Sequence, residues 1–152
     1  MNDQTETSAI FEALCARAEA VRRPRTVSPF IEAGQVAAAI RTDRGNIYTG
    51  VCMDTASSLG MCAERAAVAA MITGGEHRVT HLAVLMPDGR PGLPCGACRE
   101  LLMQLSSDSG GIRILTDREK GSWVTLAELT PDWWGTGRFE SLDKTERSHE
   151  NE

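Results

Sequence analysis

Long hydrophobic runs and secretion signals are missing from this sequence. No apolar run approaches the ~18 residues that a membrane-spanning helix requires, so we do not expect a transmembrane protein. Residues 1–8 are polar and acidic, without the positively charged and apolar regions of a secretory signal. We therefore expect a cytoplasmic protein with no membrane partner.

Positive charge is also in short supply. The chain has 16 Lys and Arg residues against 21 Asp and Glu residues, so its formal charge is -5 and its pI is about 5.3. Binding to nucleic acid depends on neutralising phosphates with basic side chains. This charge balance does not favour a nucleic-acid partner, and no phosphate-binding glycine loop is present. We expect a small-molecule ligand instead.

The length of 152 residues suits a single domain that buries its own hydrophobic core. Hydrophobic residues make up 41% of the chain, and there is no internal repeat or low-complexity linker. We predict one domain over residues 1–139. Residues 140–152 are nearly all polar or charged, and we predict that they form a disordered tail.

The hydrophobic periodicity predicts helices and strands in the order αββαβαβ, followed by a short last helix. The predicted helices are 5–21, 62–72, 95–105 and 124–129. The predicted strands are 35–41, 46–51, 81–86 and 112–116, the first two forming a hairpin. Strands that alternate with helices favour a sheet with parallel neighbours and helices on its faces, which is the α/β class.

Three of the five cysteines stand at predicted helix starts. Cys62 opens one helix, and Cys95 and Cys98 lie three positions apart on the first turn of the next. The positive end of a helix dipole favours the thiolate form, which is the form that binds zinc. The odd cysteine count and this placement indicate reduced, metal-binding thiols rather than a disulfide framework. We predict that these three cysteines hold one Zn²⁺ ion.

Three protein ligands leave the fourth position of a tetrahedral zinc ion open, which is typical of catalytic sites. A water in that position has its pKa lowered from ~15.7 toward ~7. Glu64 follows Cys62 by two residues, and we predict that it is the acid-base residue that moves protons during catalysis. We predict that Arg65 and Arg99 offset the negative charge of the three thiolates by hydrogen bonding to sulfur.

Two other interpretations of the cysteines stay open at this point. A structural zinc site would need a fourth protein ligand, which Cys52 or Cys15 could supply. A thiol redox protein would use the C-x-x-C spacing of Cys95 and Cys98, but that function leaves Glu64 unexplained.

The two motifs resemble those of the cytidine deaminase family, including its blasticidin S deaminase branch. The similar segments are 60–68, with the sequence GMCAERAAV, and 93–102, with the sequence LPCGACRELL. The resemblance implies a three-layer α/β/α fold with a mixed five-stranded sheet, and a homotetramer as the assembly. It also implies a zinc-dependent hydrolysis that converts a cytosine-type nucleoside to its uracil analogue and releases ammonia.

The resemblance implies substrate-binding residues as well. The backbone N–H of Ala63 is expected to contact the carbonyl of the base. Typical members bind the ribose with a G-x-N-x-E segment, and the matching stretch here has Cys52 in place of the asparagine and Asp54 in place of the glutamate. Trp133 and Trp134 fall where the family has an aromatic residue that lines the pocket.

The resemblance therefore implies a hydrolase that acts on the C–N bond of a cyclic amidine, with cytidine or deoxycytidine as the substrate and pyrimidine salvage as the role. Because the sugar-binding residues are altered, a nucleoside antibiotic of the blasticidin S type or another aminated heterocycle stays an alternative substrate.

Overall fold

The computed structural model describes residues 2–141. The helices are α1 (Asp3–Val21), α2 (Ala63–Thr73), α3 (Gly96–Met103) and α4 (Leu126–Leu129). The strands are β1 (Arg25–Ser28), β2 (Ile31–Thr42), β3 (Ile47–Thr55), β4 (Val79–Leu85), β5 (Arg113–Asp117) and β6 (Ser122–Thr125). The predicted tail over 140–152 lies outside the described residues, except that Glu140 and Ser141 are helical.

The strands form one mixed six-stranded sheet. Strand β2 is its centre, because it pairs antiparallel with β3 along one edge and with both β1 and β4 along the other. Strand β4 pairs parallel with β5, and β5 pairs antiparallel with β6. The order across the sheet is therefore β3, β2, β4, β5, β6, with the short β1 beside the first residues of β2.

Helices cover both faces of this sheet. Alternate residues of each strand point to opposite faces, so each face contributes its own side chains to the packing against a helix. In β2, Ala37 and Ala39 pack against α1, whereas Ala38 and Ile40 pack against α2. The α1 face is filled by one stripe of that helix, which includes Phe11, Leu14, Cys15 and Ala18. The predicted three-layer α/β/α arrangement is confirmed. No helix within residues 2–141 has the length and apolarity needed to cross a membrane.

The sheet has one strand more than the five that the resemblance implies. Strands β1 and β6 were not predicted, because each is four residues long and neither has a buried residue to give an alternating apolar pattern. Strand β2 also begins at Ile31 rather than at residue 35. The predicted short helix at 124–129 is α4, which starts two residues later after the capping box of Thr125 and Glu128.

Close packing of α2 on β3 fixes where the first cysteine motif lies. A side chain at Gly50 would collide with the backbone of Ala63 and Ala67, so the glycine allows the helix to lie directly on the strand. The loop before α2 is held by two backbone hydrogen bonds between Met53 and Met61. These contacts place the start of α2 beside the end of β3.

Candidate active site

The three predicted ligand cysteines come together where α2 and α3 begin. Cys62 is the N-cap residue of α2, Cys95 is the N-cap residue of α3, and Cys98 lies on the first turn of α3. The Sγ atoms of Cys62 and Cys95 are 3.6 Å apart, and those of Cys95 and Cys98 are 3.3 Å apart. Within residues 2–141, these three form the one group of potential metal ligands, with all sulfur atoms within 4.8 Å of one another.

This arrangement fits a metal ion. Sulfur atoms bound ~2.3 Å from one tetrahedral ion lie about 3.8 Å from each other, which is close to the observed spacings. Neither helix start has a side-chain cap, and at the start of α3 the backbone N–H groups of Ala97 and Cys98 contact the thiol of Cys95. The donor set and its surroundings therefore suit a thiophilic cation with one position left for a non-protein ligand.

The thiols differ in their acidity. Burial raises the pKa of Cys62, and burial with the nearby Glu64 charge raises the pKa of Cys98 well above the ordinary range. Burial also opposes ionisation of Cys95, but hydrogen bonds from the backbone at Cys98 and Ala97 and from the other thiols lower its pKa overall. Cys95 is thus the thiol most ready to ionise before a cation binds.

The two arginines next to the cysteines have different partners. Arg65 contacts Cys62, and this contact raises the pKa of the guanidinium and favours the thiolate. Arg99 instead donates to the carbonyl oxygens of Pro94, at 2.8 Å, and Leu129, at 3.1 Å. The structure therefore brings Arg65 to the thiols, whereas Arg99 ties the start of α3 to the end of α4 and, within residues 2–141, makes no hydrogen bond to sulfur.

Glu64 lies beside the cysteines and is 5% exposed. Burial raises the pKa of its carboxyl group, and contact with Cys98 and the charge of Arg65 oppose that rise only partly. A raised pKa favours the protonated form of a carboxyl group, which suits a residue that takes up and releases protons. The neighbouring Ala63 is fully buried, and as the first residue of α2 it has a backbone N–H that the helix does not use.

A cavity of about 590 Å³ opens over this group, a size suited to a small organic ligand. We call its base the thiol floor, which consists of Cys62, Glu64, Cys95 and Cys98. We call the side formed by β2 and β3 the strand wall, which consists of Gln35, Val36, Cys52 and Asp54. Of these eight residues, all but Cys98 line the cavity directly.

The strand wall brings Cys52 and Asp54 to the cavity and adds two residues that the sequence motifs did not single out. The Sγ atom of Cys52 accepts a hydrogen bond from the backbone N–H of Val36 at 3.3 Å, and the thiol donates to Oε1 of Gln35 at 3.5 Å. Asp54 is exposed. Gln35 was not predicted as a site residue. Its only indication in the sequence is its position at the irregular start of β2, and the hydrophobic periodicity does not resolve where that strand starts.

The two tryptophans lie elsewhere. The indole N–H groups of Trp133 and Trp134 each donate to the carboxylate of Glu100 at 2.7 Å. Arg138 lies over the ring of Trp134, 4.9 Å from its centroid. Both rings line a separate small pocket on the outer side of α3, so within the described chain they do not line the cavity above the thiol floor.

The proposed fourth ligands of a structural zinc site are also placed apart from the thiol floor. Cys52 is engaged by Val36 and Gln35, and Cys15 is a residue of α1 that is buried on the opposite face of the sheet. Neither belongs to the group of sulfur atoms that includes Cys62. The geometry therefore favours an open metal site over a closed structural one.

No family model matches the chain, but individual proteins do. It is 35% identical to the cytidine deaminase of Mycobacterium tuberculosis over 101 residues, which are 66% of this chain and 72% of that protein. It is 32% identical to the cytidine deaminase of Halalkalibacterium halodurans over 98 residues, which are 64% of this chain and 74% of that protein.

Solved structures agree with these relatives. The crystal structure of cytidine deaminase from M. tuberculosis superposes with a TM-score of 0.68 at 28% identity, over 82% of this chain and 97% of that one. The corresponding structure from Mycobacterium leprae gives a TM-score of 0.66 at 28% identity, over 80% of this chain and 98% of that one. Sequence, fold and the grouping of three cysteines with a buried glutamate thus lead to one conclusion: this chain belongs to the cytidine deaminase family.

Proposed function

We propose that this protein is a zinc-dependent hydrolytic deaminase that converts cytidine or deoxycytidine to its uracil analogue and releases ammonia. The observation that carries the proposal is the buried carboxyl group of Glu64, placed beside three clustered cysteine thiols at the base of one cavity. Membership in the cytidine deaminase family supports the same activity. Zinc is the proposed ion because it favours thiolate ligands in tetrahedral sites.

The roles of the protein residues follow from their positions. A zinc ion held by Cys62, Cys95 and Cys98 would supply an activated water at neutral pH. Glu64 takes up a proton at its carboxylate and delivers it to the ring nitrogen. It then takes a second proton from the hydroxyl group that has added to the ring carbon and passes it to the departing amine, so that ammonia leaves and a carbonyl group remains. Burial raises the pKa of this carboxyl group, which favours its proton-carrying form between the two steps.

Charge balance at the thiol floor comes from the chain itself. Three thiolates carry more negative charge than one divalent ion neutralises. The positive ends of α2 and α3 and the guanidinium of Arg65 offset part of this excess. We therefore propose Arg65 as the charge-balancing residue, and we propose for Arg99 the structural contact with α4 described above.

Substrate binding uses the remaining surfaces of the cavity. We propose that the free backbone N–H of Ala63 donates to the carbonyl of the base, because Ala63 lines the cavity. The exposed carboxylate of Asp54 on the strand wall is an acceptor for a sugar hydroxyl.

We further propose a homotetramer. The cavity mouth carries Met53, Met86 and Leu93, which are 37%, 38% and 46% exposed, and apolar surface of this kind is typical of subunit contacts. In such an assembly Trp133 and Trp134 would be available to a neighbouring subunit. The free thiols of the site fit the reducing cytoplasm.

The test is ammonia release by the zinc-loaded protein with cytidine, deoxycytidine, free cytosine and blasticidin S, using Glu64→Gln as the blank. We expect turnover of cytidine or deoxycytidine and none by the variant. Turnover of blasticidin S alone would replace the proposed substrate with a nucleoside antibiotic. No turnover on the whole panel with zinc bound would refute the proposed substrate class.

A further inference from the structure

Strands β2 and β3 separate where the strand wall is formed. Ala33 pairs with Met53 and Ala37 pairs with Val51, so three residues of β2, 34–36, stand opposite Cys52 alone. A bulge of this kind bends its strand and redirects the side chains in it. Gly34 allows the bend, because its φ of 85° lies in the left-handed region that favours glycine. As a result, Gln35 lies beside Cys52 at the cavity.

Cys52 is not free to bind substrate. Its side chain is only 9% exposed. A thiol is a weak donor and a weak acceptor, and both capacities are used, one by the N–H of Val36 and the other by Oε1 of Gln35. Cys52 therefore stabilises the bulge and holds the amide of Gln35 in one orientation.

With its oxygen engaged by Cys52, the amide of Gln35 has its nitrogen accessible to solvent. Its oxygen accepts from Cys52, so the NH₂ group carries the two donors that are left. Within residues 2–141 this nitrogen has no hydrogen-bond partner, although the residue is half-buried and lines the cavity. The exposed carboxylate of Asp54 lies on the same strand wall and accepts hydrogen bonds. A donor and an acceptor that line the same cavity match a hydroxyl group, which can use both.

We propose that Gln35 is a specificity-determining residue that donates a hydrogen bond to a sugar hydroxyl of the substrate, and that Cys52 is the positioning residue that aims it. The chain would thus recognise the sugar with the amide of Gln35 on β2. This amide lies next to Cys52 on β3, which stands where typical family members have an asparagine. This inference rests on the proposed function, and it narrows the substrate class to nucleosides that keep that hydroxyl.

The experiment compares kcat/KM for cytidine with that for its 2′-deoxy, 3′-deoxy and 5′-deoxy analogues. Gln35→Leu removes the amide with little change in volume, and Gln104→Leu on the outside of α3 is the matched control. We expect Gln35→Leu to lower kcat/KM for cytidine about 10-fold, mainly through KM, as loss of one hydrogen bond predicts. For the analogue that lacks the recognised hydroxyl, the same substitution should have no further effect. The control should leave all four values unchanged.

Cys52 is tested in the same way. Cys52→Ser keeps both hydrogen bonds and should retain the preference for the hydroxyl, whereas Cys52→Ala should weaken that preference with kcat unchanged. A uniform loss on all four substrates for Gln35→Leu would show a merely structural role and would overturn the inference.

Binding of uridine separates this inference from the proposed function. A wild-type protein that deaminates nothing, but binds uridine with an affinity that falls in Gln35→Leu, refutes the activity and leaves the hydroxyl contact standing. Uridine binding that is independent of Gln35 overturns the inference alone. A wild-type protein that neither deaminates cytidine nor binds uridine overturns both.

Discussion

The thiol floor and the strand wall line one cavity, yet they are built in different ways. The thiol floor comes from the N-termini of two helices, and each of its residues lies within a short continuous motif. The strand wall comes from a bulge between two strands, where three residues face one. The chemistry is therefore fixed by local sequence, whereas the binding surface depends on strand pairing and can change without altering the chemistry.

Removal of one thiol should have the largest effect. Cys98→Ala deletes a buried ligand of the proposed zinc ion. The zinc content should therefore fall below one ion per chain, and ammonia release should fall to the level of the Glu64→Gln blank. Metal analysis after dialysis and activity on cytidine measure the two effects. Cys15→Ala is the matched control, because Cys15 is a buried residue of α1 on the other face of the sheet. This variant should keep its full zinc content. A Cys98→Ala protein with wild-type activity would contradict the proposed role of the thiol floor.

A substitution in the strand wall should affect binding rather than chemistry. Asp54→Asn removes a charged acceptor from an exposed side chain while keeping its shape. Because hydrogen bonds to charged groups contribute ~1.5–3 kcal/mol, kcat/KM for cytidine should fall about 10-fold or more, with most of the change in KM. Steady-state kinetics measures this, with Asp43→Asn at the β2–β3 turn as the control. A fall confined to kcat would mean that the strand wall takes part in the chemistry.

The thiol floor was predictable because its geometry is set within single helical turns. Cys62, Cys95 and Cys98 each lie in the first turn or cap of a helix, so their spacing alone indicated their convergence. Gln35 could not be found in this way, because its place at the cavity depends on a register shift between two strands. One of the two partners of Arg99 is Leu129 on α4, which lies 30 residues away in the sequence.

The fold also divides into parts that could be predicted from local sequence and parts that could not. The long helices and the central strands have periodic apolar faces, and their order was predicted correctly. Strands β1 and β6 lack a buried residue, so only pairing with β2 and β5 defines them. The sequence position of Trp133 and Trp134 predicted that they line the pocket. Two hydrogen bonds to Glu100 hold them on the outer side of α3.

A third region, on the α1 face of the sheet, should affect stability and leave both parts of the cavity unchanged. His81 is buried between Arg41 and Arg113 on the neighbouring strands. Burial lowers the pKa of His81 to about 4, and the two arginine charges add to this while Asp3 opposes it. As the pH falls from about 6.5 toward 4, the unfolded chain takes up a proton that the folded chain does not. The free energy of unfolding should therefore decrease by about 2 kcal/mol over this range.

Urea denaturation at several pH values measures this contribution. The decrease should be smaller in His81→Gln, whereas His77→Gln, at an exposed histidine, should behave like the wild type. Equal pH dependence in the wild type and in His81→Gln would show that the burial of His81 has no such consequence.

The smallest effect is expected at Trp134. Trp134→Phe removes one hydrogen bond to Glu100 from a side chain that is 63% exposed, so the free energy of unfolding should decrease by about 1 kcal/mol or less. The value of kcat/KM for cytidine should change less than about twofold, because the ring lies outside the cavity. A large rise in KM would instead place this ring at the cavity of a neighbouring subunit.

The most direct test of the account is a zinc titration of the metal-free protein, with bound zinc and ammonia release from cytidine measured in parallel for the wild type and Glu64→Gln. The account predicts that wild-type activity rises with zinc and levels off at one ion per chain, while Glu64→Gln binds the same amount of zinc and releases no ammonia. Equal activity in the two proteins, or activity without zinc, would contradict the claim that the thiol floor is the site of catalysis.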